Sequence, residues 1–408
     1  MFFQQIKNIF SNYYVNINAP VFMREVDKYS INDASLLVLI CLYSIFLISL
    51  LIVYRIFFQQ KLEVSIETFS KIQNSKTFAK VFIYLTFVIV CILIIHIISY
   101  NTPLFHHNIN KNNYWIDYAL IPQIKILSSQ LNTLLFILGY LYTKQSFSNI
   151  EYTNKSFYFV ILFLSIFYYI LMKQKFGGPL LMLFSFFLPY LLLGIKLKQI
   201  NFIQLFKILT TSVILLSIFV YGYFYMRFGN KAGSMILERV FSLQSEIWEV
   251  TYTYLSHNHL PINNNEFIKE LSILFGFNNG LTGMQYVMKQ VMGNDYFNFF
   301  MDIHINLSSA YPSYLFYIIP QSSLTIPIAL FINFILYSIY AFLGFKVMEK
   351  LLNNKIIVAA LYLKLFFAFE NVITQVYLNS IISFKILLFI LLIYLIENNF
   401  FNEQKVNL

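Results

Sequence analysis

A chain of 408 residues that is 59% hydrophobic and only 11% charged is no ordinary soluble domain, in which about 25% of residues carry charge. Its formal net charge of +10 comes without a clustered basic patch, which points away from nucleic acid as a partner. The lysines and arginines stand singly at the ends of apolar runs, the pattern that encodes membrane topology.

The chain opens with "MFFQQIKNIFSNYY", which lacks a long apolar core followed by a small-residue cleavage site, so no removable signal peptide is expected. Apolar runs follow, most of them about long enough to cross a hydrocarbon core of roughly 30 Å as a helix. The expected spans are Leu36 to Phe58, Phe82 to Tyr100, Leu120 to Tyr142, Phe157 to Met172, Leu180 to Leu197 and Ile208 to Met226. The third is less clean, carrying Pro122 and Lys125. A polar-interrupted segment of 86 residues runs from Arg227 to Pro312. After it come a short piece, Ser313 to Pro320, and the spans Ile326 to Val347, Ile356 to Leu378 and Ile381 to Ile396. Cys41 and Cys91 both lie inside apolar runs and offer neither a disulfide framework nor metal spacing.

Orientation follows from the lysines and arginines of alternate short loops. One set holds Arg55, Lys61, Lys71, Lys76 and Lys80, then Lys144 and Lys155, then Lys196, Lys198 and Lys207, then Lys346, Lys350 and Lys355. The opposite set is poorer, so the first set is cytoplasmic and residues 227–312 form a large external loop. Lys173 and Lys175, in "MKQKFGGP", break the pattern. Either the topology departs here, or the lysines are held outside to meet an anion, Gly177 and Gly178 letting backbone approach closely.

Within the external loop, "GSMILERVFSLQSEIWEV" has a helical pattern. At about 100° per residue, Ile236, Val240, Leu243, Ile247 and Val250 form one stripe, widened by Leu237, Phe241 and Trp248. Glu238, Arg239, Ser242, Ser245, Glu246 and Glu249 share the opposite arc, and Ser234 is placed to cap the helix N-terminus. This is an amphipathic helix of the kind that lies in the membrane interface. The polar arc either solvates the outer face or serves a site, Arg offering a planar fork matched to phosphate.

The block "LERVFSLQSEIWEV" resembles a segment of the O-antigen polymerase (Wzy) family of bacterial surface polysaccharide pathways. The downstream stretch "GLTGMQYVMKQVMGNDYFNFFMDIHINLSSAYPSYLFYIIP", Gly280 to Pro320, is similar too, in its GMQ-type segment and its small-residue–Tyr–Pro step. The resemblance implies a multi-pass protein of the bacterial inner membrane that joins undecaprenyl-pyrophosphate-linked oligosaccharide repeat units at the periplasmic face. The growing chain would leave its lipid pyrophosphate for the terminal sugar of a new lipid-linked unit. The donor is already activated, so neither cofactor nor metal is expected, and no nucleotide-binding glycine loop is present. Arg239 matches the family-like block and is the first candidate for the departing pyrophosphate. Arg227 and Lys231 come second, with Lys173 and Lys175 in support. Glu246 or Glu238 is the candidate base, with Glu249 behind them. Gln244, Gln285 and Tyr311 are candidate sugar contacts. A chain-length regulator and a flippase of the same pathway are the implied protein partners. A ligase moving finished chain onto lipid A core, or a transporter of lipid-linked oligosaccharide, are the alternatives.

Other polar residues carry weaker signals. His257 and His259 in "SHNHLP" have no third metal ligand at suitable spacing. Lys364 and Glu370 fall inside a span, six apart, and read as a structural tie in the bundle or as part of a substrate path. Lys125 and Lys385 lie near outer span ends, where snorkelling accounts for them. Pro312 and Pro320 bracket a piece that looks re-entrant. The expected architecture is therefore all-α and polytopic, a single transmembrane domain over residues 1–408 with about 9–11 spanning helices. One large periplasmic loop, residues 227–312, contains the amphipathic helix.

Overall fold

The computed structural model describes residues 33–59, 76–106, 109, 114–148, 150–172, 177–201, 229–237, 324–375 and 384–406, with isolated positions between 203 and 225 and at 272, 275 and 277. Among the described residues all regular structure is helical and no strand occurs. We number the α-helices α1 (Asp33–Val53), α2 (Lys76–Ser99), α3 (Lys125–Phe147), α4 (Lys155–Leu171), α5 (Gly177–Lys196), α6 (Ala232–Leu237), α7 (Thr325–Leu352), α8 (Ile356–Gln375) and α9 (Phe384–Val406). Every described position from 203 to 225 is also helical, in line with the span expected there.

Five helices among the described residues are long and apolar enough to cross a membrane: Ile40–Phe58, Lys76–Phe105, Pro122–Phe147, Gly178–Lys196 and Ile326–Leu352. Lys155–Leu171 and Ile386–Glu397 are shorter apolar helices. The chain thus has the make-up of a multi-pass membrane protein. Helices suit this setting because they satisfy their own backbone groups where no water is present. α2 begins six residues before the expected Phe82, because "KTFAKV" continues the helix into the polar flank. α3 starts later than the expected Leu120. Pro122 opens a short 3-10 turn, Pro122–Ile124, and the α-helix takes over at Lys125.

Contacts divide the chain into two compact units. One comprises Met1–Phe57, Ile208–Phe345 and Leu365–Leu408; the other comprises Phe58–Lys207 and Lys346–Lys364. In the first, α1 buries Val38, Leu42, Phe46, Ser49 and Val53, every third or fourth residue, which is one face of a helix. That face meets α7. Phe46 packs edge-on against Tyr337 at 5.6 Å, and Phe57 against Phe342 at 5.8 Å. The Ser49 hydroxyl lies 2.8 Å from the Ile45 carbonyl and 3.4 Å from that of Phe334. Farther along α7, Tyr340 stacks on Phe366 of α8 at 4.2 Å.

The second unit is built on α2, α3, α4 and α5. α2 buries Ala79, Ile83, Thr86, Val90, Leu93 and Ile97, a seven-residue repeat. α3 packs on α5, and α4 touches α2, α3 and α5. Tyr142 of α3 sits among Phe159, Phe186 and Tyr190, with ring centroids 5.3, 5.6 and 6.0 Å away. The approach of α3 to α5 is set by Gly139. A methyl group there would fall 1.9 Å from the Phe186 carbonyl oxygen, so only a residue without a side chain permits this crossing. Gly139→Val should therefore force the helices apart, at an overpacking cost of about 1–3 kcal/mol. Thermal unfolding of the detergent-purified chain would show a lowered midpoint. An unchanged midpoint would refute the close crossing.

The turn from α7 to α8 closes this unit. Asn354 adopts φ 57°, the left-handed cap that Asn tolerates at a helix C-terminus. Asn353, Asn354 and Lys355 donate back to the carbonyls of Glu349, Leu351 and Lys350 at 3.1, 3.1 and 2.9 Å. The Asn354 side chain does further work: its Oδ1 accepts from the Tyr140 hydroxyl and, at 3.3 Å, from Lys144 Nζ, both buried on α3. Backbone and side-chain roles separate experimentally. Asn354→Gly keeps the left-handed turn but removes the acceptor, so it should still lose about 1–3 kcal/mol with the two side-chain contacts. A glycine variant as stable as the parent in a detergent melting assay would show that the side-chain contacts contribute nothing.

Candidate functional site

Ten of the eleven site residues expected from sequence lie outside the described residues: Arg239, Glu238, Glu246, Glu249, Gln244, Arg227, Lys173, Lys175, Gln285 and Tyr311. His257, His259 and the piece between Pro312 and Pro320 lie outside them as well. Lys231 is described. It is exposed on a 3-10 turn, Gly229–Lys231, that runs directly into α6. The described residues of the segment expected to be amphipathic, through Leu237, are helical, with one correction. The helix begins at Ala232, so Ser234 stands inside its first turn and not at the N-cap, because the 3-10 turn already supplies the entry.

Within the bundle, polar side chains are costly and mark places that need explanation. Most small ones bond to their own helix. Thr86, Thr143 and Ser165 donate to the carbonyl four residues back at 2.8, 2.6 and 2.8 Å. Among the longer-range contacts that tie elements of the α2–α5 unit together are three that involve sequence-distant side chains. The first is Tyr168 of α4, whose hydroxyl meets Ser128 of α3 at 2.7 Å. The second is Lys364 of α8, whose Nζ bonds the amide oxygen of Gln130 on α3. Lys364 therefore has a bundle partner in Gln130.

The third contact fixes the segment joining α2 to α3. His96 is buried near the end of α2, its ring stacked on Trp115 at 5.6 Å with 9° between planes. Tyr114 and Trp115 belong to a π-helical turn, Tyr114–Tyr118. The backbone N–H of Ile121 donates to His96 Nε2 at 3.2 Å, which makes that nitrogen the acceptor. In the neutral ring Nδ1 then carries the proton and faces the Tyr114 oxygen at 3.4 Å. The Tyr114 hydroxyl in turn lies 3.4 Å from the Tyr100 carbonyl. Burial pushes the Tyr114 phenol up to about 12, so it stays protonated and able to donate. Every donor along this chain has an acceptor. Sequence reading missed it because Tyr114, Trp115 and Ile121 are brought to His96 by the fold, at separations that follow no helical period.

Residues 278–390 match a family of unknown function, DUF6418. No curated protein and no solved structure matches the chain.

His96→Phe tests the hydrogen-bonded loop. Phenylalanine keeps the stacking on Trp115 but leaves the Ile121 N–H without its acceptor, a loss of about 1–3 kcal/mol. Limited proteolysis should then cut between residues 100 and 121 faster than in the parent. Equal cleavage rates would show that stacking alone holds the segment.

Proposed function

We propose that this chain is a polymerase of lipid-linked oligosaccharides, joining undecaprenyl-pyrophosphate-linked repeat units of the O-antigen type at the periplasmic face of the bacterial inner membrane. The observation that carries the reading is the polar arc of "LERVFSLQSEIWEV", where Arg239 stands with Glu238, Glu246 and Glu249 opposite an apolar stripe. That block resembles the Wzy family, and the multi-pass helical bundle suits a substrate held by a membrane lipid.

The chemistry is glycosyl transfer. A hydroxyl of the acceptor's terminal sugar attacks the anomeric carbon of the donor chain as the carbon–oxygen bond to pyrophosphate breaks. The leaving pyrophosphate takes the bonding electrons, and Arg239 stabilises the charge that develops there. The proton of the attacking hydroxyl passes to Glu246 or Glu238. Arg227 and Lys231 add positive charge on the same segment, with Lys173 and Lys175 in support, while Gln244, Gln285 and Tyr311 contact sugar.

Loss of a charge-assisted contact to phosphate costs roughly 1.5–3 kcal/mol, about a 10- to 150-fold effect. Arg239→Ala should therefore abolish or sharply shorten the polymer while protein levels stay intact. A normal ladder of chain lengths on a gel from that variant would sink the assignment. A deletion strain separates the related activities: a lost polymerase leaves core bearing a single repeat unit, whereas a lost ligase leaves core bearing none.

A further inference from the structure

The bond that ties the α2–α3 connection to α2 depends on the protonation of one ring. His96 Nε2 accepts from the backbone N–H of Ile121 at 3.2 Å, and only an unprotonated nitrogen can accept. Adding a proton turns Nε2 into a second donor, aimed at an N–H that can only donate. The other nitrogen is indifferent to the change. Nδ1 carries its proton in both forms and faces the Tyr114 oxygen at 3.4 Å. A single proton therefore reverses one hydrogen bond and leaves its neighbour alone.

The charges around the ring decide whether it can keep that proton in place. His96 is buried, and an unpaired buried charge is costly. α3 and α4 pack against α2, and none of α2, α3, α4 and α5 contains Asp or Glu. At this end of the unit α3 carries Lys125, and α4 carries Tyr168 and Tyr169. Residues 100–121 include one acid, Asp117, which is exposed on the π-helical turn beside Tyr118. Their other ionisable groups include His106, with His107 and Lys111 outside the described residues. Tyr114 supplies no counter-charge, because burial pushes its phenol up to about 12. An imidazolium stacked on Trp115 keeps some attraction for the indole face. That attraction is weaker than the lost hydrogen bond and the buried charge taken together. Release relieves both, since Leu120 and Ile121 are already exposed and the freed N–H reaches water.

We infer that His96 is a proton-operated latch on the Tyr114–Ile121 stretch, closed while the ring is neutral and released when it is protonated. The sign follows from the bond. The closed form holds one proton fewer, so closure is complete above the ordinary imidazole range, near about pH 6.5, and is lost as the pH falls below it. Linkage to one proton lets the released fraction grow up to about tenfold per pH unit. Ile121 stands directly before Pro122, where a 3-10 turn leads into α3, so release frees the approach to α3 as well as the π-helical turn. By the orientation expected from the loop charges, this stretch lies on the outer side and responds to the pH there.

Trp115 reports on the latch directly. The chain has two tryptophans, so Trp248→Phe in the full-length, detergent-purified protein leaves Trp115 as the sole reporter. Between about pH 8 and about pH 5, where a histidine changes charge, its emission should move to longer wavelength and its quenching by acrylamide should rise severalfold. His96→Gln offers an amide oxygen to the Ile121 N–H but does not titrate, so it should erase the step. His96→Phe lacks the acceptor and should leave Trp115 accessible at every pH. A step that survives His96→Gln belongs to another group, His106 included, and overturns the latch, as does a flat titration without that substitution. Loss of intensity with unchanged acrylamide access means that the ring is protonated in place, which overturns it equally. If the single-tryptophan chain does not accumulate, the natural chain serves. Its rate of proteolysis between residues 100 and 121, divided by that of His96→Gln, should rise about tenfold or more from about pH 8 to about pH 5. The division cancels the protease's own pH dependence, and a constant ratio rules out release.

Discussion

The constraint on which the structure depends is that polar groups inside a hydrocarbon layer must find partners within the protein. Backbone groups meet it by forming helices. Side chains meet it in two ways, and the choice decides what each residue does for the fold. Hydroxyls such as Ser44, Thr86 and Ser165 turn back onto the carbonyl one turn behind, which satisfies them locally and specifies nothing about neighbours. Tyr140, Tyr168, Lys144, Lys364 and His96 reach other elements. Because lipid tails are as apolar as leucine, burial alone gives such helices little preference for one partner over another. The longer-range polar contacts and the close crossing at Gly139 therefore supply register.

The spans themselves were largely legible. α1, α4, α5, α7 and α8 begin or end within a few residues of the apolar runs that announced them, since length and hydropathy are local properties of the chain. The discrepancies have local causes as well. α2 extends into a polar flank because Lys76 and Lys80 are good helix formers whatever their hydropathy, and Pro122 delays α3 by holding one 3-10 turn. Contacts across long separations were not legible. Nothing in the spacing of Gln130 and Lys364, 234 positions apart, joins them. Of the expected site residues, Lys231 falls within the described residues, and the polar arc of the amphipathic helix does not. Its apolar and polar halves remain arguments from periodicity and resemblance.

His96 and Lys144 show how one constraint yields different chemistry. His96 is held as an acceptor by a backbone N–H, so the ring's two nitrogens are distinguished by their partners. Lys144, fully buried, reaches the side chain of a residue whose backbone is already required to cap a helix. In both cases a single side chain connects a helix to an irregular segment, the Tyr114–Ile121 stretch in one and the α7–α8 turn in the other. Irregular backbone is where orphan donors and acceptors accumulate, so these are the places where a polar side chain stabilises most.

The same reasoning sets α3 apart. One side of it packs within its unit, with Ser128 on Tyr168 and Gly139 against Phe186. On the other side Lys125, Ser129, Gln130 and Thr133 remain partly or fully exposed, although a helix bordered by lipid there would gain from leucine or phenylalanine at each. A polar face of that kind is tolerated where it meets water or a polar ligand.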